Sequence, residues 1–198
     1  MPRTTAKDHD HKRGKILKSA ARVFATQGYN GVSVTQLAQA CGISKANIYH
    51  YYDNKQTVLF DLLDSYLKAL RNRIQALDLK GLTAEEQLRK TIAEIMLAYQ
   101  GADNEHLTLI SSISALPKKR QELLRAYQRE IVACVSRIVA PLVSRQTAND
   151  AKKLRHATMA LFGMMNWYFI WKRKATPEER EEYAQLVSDL ALRGLSAL

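Results

Sequence analysis

Gly31-Val-Ser-Val-Thr-Gln-Leu-Ala38, followed by Gly42-Ile-Ser-Lys-Ala-Asn-Ile-Tyr-His-Tyr-Tyr-Asp-Asn-Lys55, is the stretch that decides the fold of this chain. Ser33 and Gln36 have the spacing of a capping box, which starts a short helix through Leu37, Ala38 and Ala40. Gly42 can take the positive φ that a tight turn between two crossing helices requires. Ser44 is an N-cap for the next helix, Lys45 to Tyr52. Ala38 is small where the helices cross, and Ile43 and Ile48 pack inward to hold the second helix in place. That leaves Lys45, Ala46, Asn47, Tyr49, His50 and Tyr51 facing outward, as in a helix-turn-helix whose second helix enters a DNA major groove.

The chain on either side of this stretch reads as helix after helix. Ile16, Ala20, Val23 and Phe24 recur at helical spacing, and Gly28 ends that first helix. A fourth helix follows Asn54 and runs through Val58, Leu62 and Leu63 towards Leu77. Thr83 and Glu86 cap a fifth, to about Gln100, and a sixth covers roughly Glu105 to Ala115. Pro117 opens a seventh that reaches about Ser144, with Pro141 kinking or shortening its end. An eighth spans about Ala148 to Lys174, and Thr176-Pro-Glu-Glu179 starts a ninth. The expected fold class is all-α with about nine helices: a DNA-binding domain over 1–56 and a larger helical domain over 57–198.

Charge falls where the motif lies. The 198 residues carry a formal net charge of +11, and residues 1–56 hold nine basic against three acidic side chains, Arg3, Lys7 and Asp8 among them. An excess of this sign attracts polyanions. Apolar content of 46% is that of a globular protein, and two cysteines far apart, Cys41 and Cys134, make no disulfide framework and suit a reducing compartment. The N-terminal stretch to Lys15 lacks the apolar core of a signal peptide. The longest nearly apolar run, Ala157 to Trp171, is about 22 Å long as a helix, short of the ~30 Å of a bilayer core. A cytoplasmic location is expected.

With these residues in register, the chain resembles the TetR family of transcriptional repressors over about residues 12–65. Tyr52 departs from the family pattern, which usually has Phe there, so its hydroxyl needs a partner or solvent. The resemblance implies an N-terminal DNA-binding domain, a C-terminal ligand-binding domain, a homodimer and a double-stranded operator. Carried over, it gives Ser33 a phosphate at the start of the second helix, Thr35 a base edge or phosphate, and Lys45, Ala46 and Asn47 base edges. Tyr49, Tyr51 and Lys55 hold the DNA backbone, and His50 serves either role. Asn47 suits a bidentate pair with adenine, and Ala46 suits a thymine methyl.

The larger domain yields two further expectations. The eighth helix is apolar nearly all round, with Ala160, Gly163, Trp167 and Ile170 on one face. That face, together with the ninth helix, forms the expected homodimer contact. Tyr99, His106, Tyr127 and Asn166 are polar groups among Ile110, Ile113, Phe162, Met165 and Phe169, the composition of a site for a mostly apolar effector. The stretch Asn166-Trp-Tyr-Phe-Ile-Trp-Lys-Arg173, with Thr176-Pro-Glu-Glu179, resembles an acyl-CoA-responsive branch of the family, so the expected effector is an acyl-CoA or aromatic acyl-CoA thioester. No cofactor, metal or membrane partner is expected. His9 and His11 lack further ligands nearby in sequence, and no phosphate loop, nucleophile elbow or zinc-protease pattern occurs. An effector-independent architectural DNA binder is the alternative; a filled, dry core in the larger domain distinguishes it.

Overall fold

The computed structural model describes residues 3–172 and 174–197, with side chains from His9 onward. Met1, Pro2, Leu198 and Arg173, which ends the 166–173 stretch quoted above, lie outside the described residues, as do the side chains of Arg3, Lys7 and Asp8. Among the described residues the chain is all-α, as expected, without strands. The helices are α1 (Arg3–Gln27), α2 (Val34–Cys41), α3 (Lys45–Tyr51), α4 (Lys55–Gln75) and α5 (Ala84–Ala98), then α6 (Asp103–Ser112), α7 (Lys118–Val139), α8 (Arg145–Asn149), α9 (Ala151–Trp171) and α10 (Pro177–Leu195). No described helix is long and apolar enough to cross a membrane.

Ten helices are seen where nine were expected, and Asp150 is the reason. Its backbone is extended, and its carboxylate accepts from the amides of Lys152 and Lys153, so it caps α9 instead of continuing α8. Ser44, Ser144 and the three expected capping boxes, at Ser33, Thr83 and Thr176, all close as their spacing requires. Pro141 lies in a 3-10 turn, Ala140–Leu142, that ends α7 early.

Two compact units result: Met1–Leu67 with Asn104–Leu124, and Lys68–Asp103 with Arg125–Leu198. The first unit takes in α6 and the start of α7 because they close onto α1 and α4. Thr108 donates to the carbonyl of Ala21, and Gln56 Nε2 donates to the carbonyl of Ala115 at 3.0 Å. The Arg120 guanidinium lies 4.8 Å from the Phe60 ring centre. Ile16, Ala20, Val23 and Phe24 are buried, as their spacing predicts, and so is Ile48.

In the second unit α5 packs along α10, and α9 packs against both. Leu88, Ile92, Ile95, Met96, Leu161 and Met165 anchor its core. Buried residues of α10 recur at positions 180, 184, 187, 191 and 195, one face of a helix, and the first of them is Arg180. Helix α9 is apolar nearly all round, and one of its faces is expected to meet a second copy. In the single chain only one is buried, through Leu161, Phe162, Met165, Tyr168 and Phe169, while Trp167 is 64% exposed.

Candidate nucleic-acid interface and effector residues

The turn between α2 and α3 is set by Gly42, whose φ of 66° is left-handed. Its amide donates to the carbonyl of Gln39, and that of Ile43 to Ala38, which satisfies the end of α2. Gly31 has a different constraint: a Cβ there would lie 2.8 Å from the carbonyl oxygen of Gln27. Recognition helix α3 is anchored by Ile48 alone among its residues, and Lys45, Ala46, Asn47, Tyr49 and His50 are exposed. Tyr51 is half-buried, with the His9 ring centre 4.7 Å from its own. Ser33 and Thr35 are exposed at the start of α2, and the Ser33 hydroxyl already serves its capping box, accepting from the Gln36 amide.

Tyr52, where the sequence demanded a partner, finds one. Its hydroxyl donates to Asp61 at 2.6 Å, and Arg13 Nε donates to the same carboxylate at 2.8 Å. Burial and the neighbouring carboxylate raise the Tyr52 pKa, so it stays a donor. One α4 carboxylate thus holds α1 and the end of the recognition helix. Neither Arg13 nor Asp61 was singled out from sequence; the available signal was the unmatched phenol.

Lys55 has a task that the resemblance did not imply. Its Nζ donates to the carbonyls of Tyr29 and Val32, both at 2.7 Å, and lies 4.3 Å from the Tyr29 ring centre. Burial lowers its pKa. Two of its three N–H groups buttress the turn between α1 and α2, which leaves at most one for a phosphate. Lys55→Ala is therefore expected to cost about 2 kcal/mol of stability and about 4–8 °C in Tm, beyond any loss of DNA affinity. Thermal unfolding without DNA checks this, and an unchanged Tm would contradict it.

The expected effector residues are divided between the units. Tyr99, Tyr127, Phe162, Met165, Asn166 and Phe169 belong to the second, and His106, Ile110 and Ile113 to the first. Tyr99 is buried and donates to Asn166 Oδ1 at 2.7 Å, while the Arg71 guanidinium lies 4.7 Å from the Tyr127 ring centre. Phe162, Met165 and Phe169 are buried. Ile110 is 60% exposed, because α6 turns His106, Thr108 and Leu109 inward. The first unit also holds a polar groove of about 610 Å³ among Gln27, Tyr29, Gln56, Ser111, Ser112 and Ser114, which sequence reading missed.

His106 is buried, with Nδ1 2.9 Å from the Tyr66 hydroxyl, and desolvation lowers its pKa to about 4. An unfolded histidine titrates near 6.5. Below that pH the unfolded chain takes up a proton that the folded one refuses, so the contribution of this site is intact above pH 7 and is lost as pH falls towards 4. Between pH 7 and 4.5 it is expected to remove about 2–3 kcal/mol. Urea unfolding of His106→Gln beside the parent measures it; parallel pH profiles would overturn it.

Half-buried Cys41 has its pKa raised by desolvation, and half-buried Cys134 receives a hydrogen bond from Arg137. No described cluster of three or more His, Cys, Asp or Glu is placed to hold a metal.

Known proteins share this plan. Residues 16–62 match the family model of the bacterial regulatory proteins, tetR family, and residues 81–195 match the tetracyclin repressor-like C-terminal domain. The transcriptional repressor NicS of Pseudomonas putida is 24% identical over 96% of this chain and 95% of its own. A TetR-family regulator from Bordetella parapertussis superimposes with a TM-score of 0.84 at 28% identity, covering 91% of this chain and 93% of that one. The structure of AibR in complex with isovaleryl coenzyme A and operator DNA gives 0.73 at 21% identity, covering 90% and 97%. A capped helix-turn-helix with an exposed recognition face, joined to a helical domain that matches the family over most of its length, makes this chain a member of the TetR family of DNA-binding transcriptional regulators.

Proposed function

We propose that the chain is a repressor that binds a palindromic operator as a homodimer and releases it when a small, mostly apolar effector binds. The observation that carries this reading is the exposed apolar face of α9 and α10. Met159, Trp167, Ile170 and Trp171 on α9 and Leu186 and Leu190 on α10 are all more than 40% exposed. Gly163, in the same stripe, has no atom within 4 Å of where its Cβ would stand. A second copy covering this face gives the two-fold symmetry that a palindrome requires. In this reading Lys45, Ala46 and Asn47 meet base edges, Thr35 meets a base edge or phosphate, Ser33, Tyr49 and Tyr51 lie along the backbone, and His50 serves either role. Lys55 contributes its remaining N–H.

The effector is an acyl-CoA or aromatic acyl-CoA thioester, taken up between α5, α7 and α9, where Tyr99 and Asn166 supply polar groups among Phe162, Met165 and Phe169. The coenzyme A ester named with AibR supports this chemistry. Helix α4 continues from the recognition helix towards the second unit in sequence, so displacing it alters the spacing of the paired recognition helices. Half-sites recur about every 34 Å, which tolerates little change. A tenfold loss of operator affinity needs about 1.4 kcal/mol of coupling, and operator must then weaken the effector by the same factor. Calorimetric titration of phenylacetyl-CoA and short-chain acyl-CoA esters, with and without operator, tests this. Weaker binding in the presence of operator is expected, and equal affinities would overturn induction by that ester.

A further inference from the structure

Arg180 stands on the buried face of α10 and is 1% exposed. Its Nη2 donates to Asp103 Oδ1 at 3.1 Å, and its Cζ lies 6.0 Å from the Tyr168 ring centre. Nε and Nη1 are shut off from solvent and have no hydrogen-bond partner among the described residues. Three N–H groups of a fixed cation are thus left without acceptors, a more costly state than a typical hydrogen bond repays. The two members of the ion pair are also unequal: the side chain of Asp103 is 28% exposed and can turn to water, whereas Arg180 cannot.

We propose that Arg180 anchors the carboxylate of a small organic acid that enters the second unit and pairs with one edge of the guanidinium, Nη2 together with Nη1 or Nε. A planar, singly charged acceptor matches a planar guanidinium, and a carboxylate is the smallest organic group of that kind. A second anion beside Asp103 leaves an excess negative charge in a dry site, so the acid displaces Asp103 towards solvent. Asp103 is the first residue of α6, and its release changes what holds the start of that helix. The proposal does not depend on the thioester reading: phenylacetyl-CoA carries no carboxylate, so the two can fail separately.

The test is thermal unfolding of the full chain in sodium acetate or sodium phenylacetate, against sodium chloride of equal ionic strength, with phenylacetamide as the uncharged analogue of the second acid. The proteins are the parent, Arg180→Gln, and the pair Arg180→Met with Asp103→Asn, which removes both charges if the single variant does not fold. Each tenfold rise in acid above its dissociation constant multiplies the native-to-unfolded ratio about tenfold, which raises the parent's Tm by about 3–5 °C. Phenylacetamide is expected to give no shift, and neither variant to show the parent's excess over chloride. An equal acid response in parent and variants, or none in the parent, would mean that water alone fills these donors and would overturn the proposal.

Discussion

Operator affinity is expected to fall by about 10³–10⁵ between 50 and 200 mM salt. Not every positive charge of residues 1–56 contributes. Arg13 is paired with Asp61, and Lys55 is turned to two carbonyls. Lys15, Lys18, Arg22 and Lys45 are exposed, four per protomer and thus up to eight in the proposed dimer. If about six to ten phosphates are contacted, each releases roughly 0.9 counterion, so log affinity against log salt has a slope of about −5 to −9. Fluorescence anisotropy on a selected operator over a salt series measures the slope directly. An affinity that is flat across the range would remove the electrostatic footprint from the account of binding.

The second large effect concerns the bare stripe on α9 and α10. Trp167 and Leu190 are 64% and 55% exposed, so replacing both with lysine leaves the buried core untouched. The pair of substitutions is expected to convert the proposed dimer to a monomer at micromolar concentration, because two like charges per copy would have to be buried against the other copy. Losing the second recognition helix removes the advantage of binding a palindrome at two points, so affinity for a full operator drops by about 10²–10⁴. Affinity for an isolated half-site and the Tm of the monomer stay near those of an unperturbed protomer. Analytical ultracentrifugation and titration on full and half operators read all three. A variant that remains dimeric would place the interface elsewhere.

Local signals in the sequence translated well into structure. A capping box is a matter of four residues, and Ser33, Thr83 and Thr176 each announce one that forms. The left-handed turn at Gly42 and the buried stripe of α1 are equally local. What could not be read depends on partners distant in sequence. Asp150 falls inside the expected eighth helix because a capping aspartate and a helical one look alike in sequence until the backbone turns. Lys55 belongs to the motif by position, yet its two carbonyl acceptors are more than twenty residues upstream. Arg180 follows a capping box, where charges usually point to water, and only its register with Ala184, Val187 and Ala191 marks it as buried. The effector residues were grouped by composition, and their division between two units is a property of topology.

That topology also bears on how the chain is made. The DNA-reading unit takes its residues from two separate stretches, with 68–103 between them belonging to the other unit. During synthesis at about 5–20 residues per second, α1 to α3 leave the ribosome well before the carbonyl of Ala115 or the guanidinium of Arg120 exists to meet Gln56 and Phe60. The nascent reading head therefore waits, incomplete, for several seconds, with a surface destined for α6 still uncovered. A chain cut short at residue 67 would hold the whole recognition motif and still lack the parts that finish it.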